Sequence, residues 1–401
     1  MIFEYSVTSD TQDKTSSAIL LILILFGAGL GASMQFAKVT VGFGILKSTY
    51  AGSDTVLGLL LSSISLLGVI LGLVAGLLVA SYGFRRMLLW ALFGGALFSA
   101  VQAFLPPVGL FMVSRILEGV SHLGIVVAAP TLMALLAPAN WRFLAMTLWS
   151  AFFGVGFAIT TAVGPHIIEA YGAFGLFFGH AAYMVLMALL VALYLPKGAA
   201  KREAFPNFPD LLRRHWTAYS SPYEFAPGAG WLFYTCTFVS IMTVVPPLLN
   251  EFERNVLVPL MPIASIVSSF TLNAFLLRYL SAIRVIQIGL IGAVLFSLSG
   301  FWMPLSGWLF IGVFASMGLV QSASFASIPQ LNPTATSQAL ANGAMSQMGN
   351  LGNLIGTPLM FALFTSFGVN SIYLMLVVCY GAAFVAHVWL ARLRNRHETL
   401  A

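Results

Sequence analysis

The feature that most restricts this chain is a succession of long apolar runs, which leaves little sequence for a water-facing surface. Twelve such runs follow one another, from 17–42 to 370–391, six before and six after a polar stretch at 196–228. Each is long enough to cross a bilayer as a helix, for which about 20 residues suffice. Charged residues make up only 7% of the 401 residues, whereas a soluble domain carries roughly 25%. A membrane β-barrel needs short segments of alternating polarity, and these runs are continuously apolar. The expected fold class is therefore an all-α integral membrane protein with twelve transmembrane helices in two six-helix halves. The expected division is 1–195, an N-terminal half with a cytoplasmic tail; 196–228, a cytoplasmic linker; and 229–401, a C-terminal half with a cytoplasmic tail. Within the linker, a short amphipathic piece at 208–216 is expected on the membrane surface.

Lysine and arginine set the orientation. With the N-terminus inside and the helices alternating, fourteen of the 18 basic residues fall on the cytoplasmic side. Only Lys47 and Arg254 fall outside, while Lys38 and Arg115 remain within the membrane. This positive-inside bias supports an even number of spans and places both termini in the cytoplasm. It also accounts for the net charge of +6 without any nucleic-acid partner. The N-terminus lacks a basic segment and a small-residue cleavage site, so it reads as a retained tail.

The fourth run, VGLFMVSRILEGVSHLGIVVAAPTLMALL at 108–136, holds Arg115, Glu118 and His122. Spacings of three and four put all three on one helix face. An ionisable group at mid-bilayer costs roughly 2.5–3.5 kcal/mol and normally faces a partner or a watery cavity. Glu118 is the one acid expected well inside the membrane, and a protonatable role stands beside a permanent ion pair with Arg115. Both are expected to look into a wet space between the two halves. Lys38, in the first run, either enters that space or snorkels to the outer surface. His122 reads as a proton relay or a packed, hydrogen-bonded histidine. Gln321 falls at the position of His122 in the second half. Asn342, Ser346, Asn350, Asn353 and Thr357 form a polar stripe on the eleventh run, suited to interhelical hydrogen bonds or to lining a cavity. His180 and His387 read as bland.

The halves resemble each other weakly. Pro130 is matched by Pro329, Gly119 by Gly318, and Gly164–Pro165 by Thr357–Pro358, at offsets of 199, 199 and 193 residues. Paired helix-breakers at corresponding positions point to a transporter site between repeats.

Three patterns carry a resemblance to the major facilitator superfamily. In GLLVASYGFRRM, Gly76, Gly83, Arg85 and Arg86 fit the loop signature after the second helix, although Ala80 and Ser81 replace the expected acid and base. In SRILEGVSHLG, Arg115 and Gly119 match the fourth-helix pattern, and Gly154, Gly156, Gly164 and Pro165 resemble the fifth-helix signature. The stretch RILEGVSHLGIVVAAPTLMALL followed by LWSAFFGVGF looks most like bacterial cyanate/nitroimidazole-type permeases. The resemblance implies the major facilitator fold, with helices 1, 4, 7 and 10 around a central cavity. It also implies a coupling role for Arg115.

The chain has no GxxxxGK[ST] phosphate loop, no HExxH, and no acid–histidine cluster for a metal. Neither an enzyme, a cofactor nor a metal is expected. The leading expectation is a secondary transporter of a small, anionic solute, with proton-coupled uptake by alternating access. Its setting is a monomer surrounded by lipid in a bacterial inner membrane. The anion follows from Lys38 and Arg115 outnumbering Glu118. Substrate and coupling candidates are Lys38, Arg115, Glu118, His122, Gln321 and Asn350. Proton-driven efflux of drugs or metabolites, and a non-transporting receptor or scaffold on the same fold, remain as alternatives.

Overall fold

The computed structural model describes residues 9–50, 52, 54–138, 141–197 and 208–400, and these fold entirely as helices and their connections. Among the described residues, nine helices are long and apolar enough to cross a membrane. One of them, Phe152–Tyr194, contains Gly172 at φ 64° and ψ −163°, where the chain turns back. That backbone region is essentially restricted to glycine, so this stretch is two spans, helices 5 and 6. Two less apolar helices, Ala226–Val244 and Ala335–Phe367, pack along each other. With these the described residues give the expected set of twelve, here numbered helix 1 to helix 12 in chain order.

Helix 1 runs Ser9–Val41, so the polar residues from Ser9 onward continue the helix beyond the apolar run. Helix 2 is interrupted: Asp54–Ser62 is followed by a 3-10 turn, Ser63–Ser65, then Leu66–Leu71 and Ala75–Tyr82. Ser62, Ser63 and Ser65 lie at the first break, and Gly72 at the second. Serine and glycine clusters are common causes of such kinks. Helix 3 is Phe84–Ala103 and helix 4 Val108–Leu136, the latter starting directly after the Pro106–Pro107 stop. In the second half, helix 7 is Ala226–Val244, three residues longer at its start than the sequence suggested. Helix 8 runs through 253–276 with π-helical turns at Glu253–Leu257 and Ser269–Asn273. Helices 9 to 12 are Ala282–Ser299, Gly307–Leu331, Ala335–Phe367 and Asn370–Leu400.

The repeat is visible in the packing. Gly119 of helix 4 lies on the carbonyl oxygen of Ile64 in helix 2, and Gly318 of helix 10 on that of Ser265 in helix 8. A Cβ at either glycine would overlap the oxygen. Helix 11 follows the same logic: Gly352 and Gly356 face the Leu232 and Cys236 carbonyls of helix 7. Small residues of this kind let membrane helices approach closely, where lipid supplies no hydrophobic drive.

Outward faces carry exposed apolar side chains such as Leu193, Val385 and Leu295, as a lipid-facing surface requires. Exposed aromatics cluster near helix ends, with Tyr171, Trp302 and Trp308 at one side and Trp90, Trp216 and Tyr279 at the other. These resemble interfacial aromatic belts. The amphipathic piece expected at 208–216 is a helix, Phe208–Ser220. Its Ala218 packs with Leu73 and Ala344. Tyr219 donates to Gln347 Oε1 at 2.7 Å, and Gln347 donates in turn to the Val69 carbonyl. Burial pushes the Tyr219 phenol up to about 12, so it remains a donor at any ordinary pH. This helix therefore ties helix 2 to helix 11.

Candidate functional site

Helix 1 is the hinge of the site because its two faces do different work. Side chains recur every 3.6 residues, so residues two apart point to opposite sides. Gln35 and Lys38 share the face that looks toward helices 3, 4 and 6. Ser33, Phe36 and Thr40 share the face that meets helix 5 and the second half.

On the inner face, Lys38 Nζ lies 2.6 Å from Glu118 Oε1 and donates to Ser99 Oγ at 2.7 Å. Helix 1 continues beyond Lys38, and its side chain is 1% exposed, which rules out a snorkelling lysine here. Glu118 also pairs with Arg115 through its other oxygen, Oε2, which accepts a further bond from Gln102 Nε2 at 2.9 Å. Arg115 spends its remaining donors on backbone: Nε on Leu60 O at 3.1 Å, Nη2 on Leu61 O at 3.0 Å and Nη1 on Gln35 O at 2.9 Å. Leu60 and Leu61 stand just before the 3-10 break of helix 2, where the regular helical bond pattern is interrupted. The five-donor guanidinium fork suits this task.

His180 completes the network. Its Nε2 lies 3.0 Å from Gly31 O, and a carbonyl only accepts, so Nε2 carries the hydrogen. That leaves Nδ1 as an acceptor, 3.4 Å from Lys38 Nζ and 2.9 Å from Ser99 Oγ, whose one hydrogen is shared with the Phe177 carbonyl at 2.9 Å. The reading of His180 as bland is therefore corrected. Ser99, Gln102 and His180 were missed as members of a site. The available signal was their polarity at depth in helices 3 and 6, which otherwise face lipid or packing.

The network lies wholly within the first six helices, with Arg115 and Glu118 each 0% exposed. The expectation that they look into a wet space between the halves is not met in this conformation: Glu118 is held by two cations and an amide, and Arg115 by Glu118 and three carbonyls. His122 is packed and hydrogen-bonded, its Nδ1 3.2 Å from Ala32 O and its ring edge-on to Phe36 at 5.1 Å.

The other face of helix 1 belongs to the seam between the halves. Ser33 donates to Phe153 O of helix 5 at 2.6 Å, and Thr243 of helix 7 donates to Thr40 at 3.3 Å. Gln321 of helix 10 spans the seam, with Nε2 donating to Ser150 O of the first half at 2.7 Å. Its Oε1 accepts from Tyr234 at 2.9 Å and from Ser265 at 3.4 Å. Asn350 of helix 11 donates to Ser346 O on its own helix at 2.9 Å, and its amide presses on Gly68 of helix 2. Thus Gln321 and Asn350 sit at the contact between halves, while Lys38, Arg115 and Glu118 meet inside one half. Ala80, where the loop signature lacks its acid, has a side chain outside the described residues.

A family model described as Major Facilitator Superfamily matches residues 20–337. The chain belongs to the major facilitator superfamily. The crystal structure of the human organic anion transporter MFSD10 (TETRAN) is similar at a TM-score of 0.72 and 15% identity, covering 93% of this chain and 99% of that one. At that identity the likeness speaks for the fold. No curated protein sequence matches the chain. The protein is thus a multi-pass membrane transporter by family, and the buried network lies within the N-terminal bundle of that fold.

Proposed function

We propose that this major facilitator protein is a secondary active transporter that imports an organic solute by alternating access, coupled to protons through the Lys38–Glu118 pair. The observation that carries this reading is the charge of the buried network. Two cations, Lys38 and Arg115, share one carboxylate, Glu118. With Lys38 and Arg115 charged and Glu118 ionised the network holds one positive charge in excess; protonating Glu118 makes it two, and departure of a proton from Lys38 makes it neutral. Uncompensated charge in a membrane interior is costly, so gain or loss of that proton changes how firmly helix 1 is held to helix 4. Helix 1 carries Ser33, Phe36 and Thr40 on its opposite side, the first two in contact with Phe153 of helix 5 and Thr40 with Thr243 of the second half. A protonation event is then one helix away from the surfaces that must part.

The small-anion expectation loses its support, because Lys38 and Arg115 are buried and turned to Glu118, Ser99 and backbone carbonyls within the first half. The basic residues support a cytoplasmic location for both termini, in a bacterial inner membrane. On the residues of helices 4 and 5 quoted above, we place the chain beside the cyanate/nitroimidazole-type permeases.

The test is uptake into proteoliposomes under an imposed pH gradient, with a panel of labelled organic solutes. A proton crossing 100 mV supplies roughly 2.3 kcal/mol, enough for about fifty-fold accumulation. Glu118→Gln is expected to abolish gradient-driven accumulation while leaving solute exchange. Accumulation that persists after the gradient is collapsed, or that persists undiminished in Glu118→Gln, removes the coupling claim.

A further inference from the structure

We infer that the solute site is the aromatic seam between the halves, and that it takes an uncharged, flat aromatic solute with a hydrogen-bond acceptor. This rests on the alternating-access reading above and adds the class of solute to it. When two halves rock apart about a midplane site, the side chains on their facing surfaces become the walls of that site. Here those side chains are rings.

From the first half come Phe36 of helix 1 and Phe153 and Phe157 of helix 5; from the second come Tyr234 and Phe238 of helix 7 and Phe314 of helix 10. Phe36 meets Phe153 at a centroid distance of 5.7 Å. Phe238 then lies 5.5 Å from Phe153 and 5.4 Å from Phe157 across the seam, both at steep ring angles. On its own side Phe238 touches Phe314 at 5.0 Å and Tyr234 at 5.8 Å. Phe238 is thus a ring through which the two halves meet, besides the stacked pair Phe43 and Phe361 at 4.8 Å.

Parting the halves separates these rings and exposes them, which is unfavourable unless something apolar takes their place. A flat aromatic solute restores edge and face contacts at the same spacings. The polar complement is equally specific. Gln321 Nε2 donates to Ser150 O across the seam at 2.7 Å. Separation breaks that bond and leaves one N–H donor among the rings, while Tyr234 continues to hold the amide oxygen. A solute carbonyl or ring nitrogen matches this donor. A small hydrated ion finds no charge here, because the buried charges are on the far side of helix 1 and already paired. It would lose its hydration without compensation.

The test is ligand-induced thermal stabilisation of the full chain in lipid nanodiscs. The probes are coumarin, an uncharged bicyclic aromatic with a carbonyl, and nitrate and acetate as small anions. Coumarin is expected to raise the unfolding midpoint in a saturable manner, and the anions are not. Phe238→Leu keeps an apolar side chain and removes the ring face. It should raise the half-saturating coumarin concentration by about tenfold. Gln321→Leu should weaken coumarin binding in the same direction, providing a second reading should Phe238→Leu fail to fold. Phe174→Leu, on an exposed ring away from the seam, should leave the concentration unchanged. Stabilisation by nitrate or acetate that is indifferent to Phe238→Leu overturns the inference and leaves the transporter reading standing. Absence of any coumarin effect also overturns it, and that reading is then judged by the pH-gradient assay alone.

Discussion

At the scale of single residues, Arg115 shows how one side chain can be read for charge and misread for direction. Its position three residues before Glu118 put the pair on one helix face from sequence alone. What sequence could not show was that its other donors are taken by carbonyls at a break in helix 2. The role depends on a planar fork reaching Leu60, Leu61, Gln35 and Glu118 together. An ammonium is a compact charge with three donors. Arg115→Lys, which keeps the charge, is therefore expected to destabilise the protein by roughly 2–4 kcal/mol, because buried carbonyls lose partners. Unfolding of the purified variant in mild detergent would show this, and an unchanged midpoint would remove the carbonyl-satisfying role. Lys38 was legible as an intramembrane cation, yet its destination depended on helix 1 continuing past it.

At the scale of elements, the positions of the helices were largely legible and their rotation was not. Continuous apolar runs, proline stops and the polar linker located nearly every span. The linker helix began where its amphipathic pattern suggested. The two faces of helix 1 were also present in the spacing, since Lys38 and Phe36 differ by two residues. Choosing which face meets the other half required the packing of helices 5 and 7. The aromatic stripes were likewise in the sequence, at Phe153 and Phe157 and at Trp231, Tyr234 and Phe238. They read as ordinary apolar residues because every neighbour is apolar too. Gly119, matched to Gly318 by offset, has a physical reason in both halves: each lies on a carbonyl oxygen of the helix two positions earlier. Gly119→Ala should push helix 4 from helix 2 and cost about 1–3 kcal/mol, as overpacking does. Gly109→Ala, where an added Cβ meets nothing within 4 Å, should be nearly silent in the same melting experiment. Equal effects from the two variants would contradict the close approach.

At the scale of the whole molecule, the structure separates two tasks that the sequence had merged. The Lys38–Glu118–Arg115 charges are kept inside the first six helices, in a network shared among helices 1, 2, 3, 4 and 6. Contact between the halves is made by rings, neutral amides and hydroxyls. Helix 1 joins the two, with one face on each. That arrangement was hidden from sequence because burial and partner choice come from tertiary packing, and because Ser99, Gln102 and His180 lie far along the chain from Lys38. The claim underlying the account is that Glu118 is the shared counter-ion of two buried cations. A double-mutant cycle on Glu118→Gln and Lys38→Met, read by equilibrium unfolding, tests it most directly. Glu118→Gln alone leaves two unpaired cations and should cost about 3–5 kcal/mol. Lys38→Met alone leaves the Arg115–Glu118 pair and should cost little. Combined with Glu118→Gln, it should recover part of the loss, because one orphaned cation is gone. Losses that simply add across the two variants would contradict the shared network.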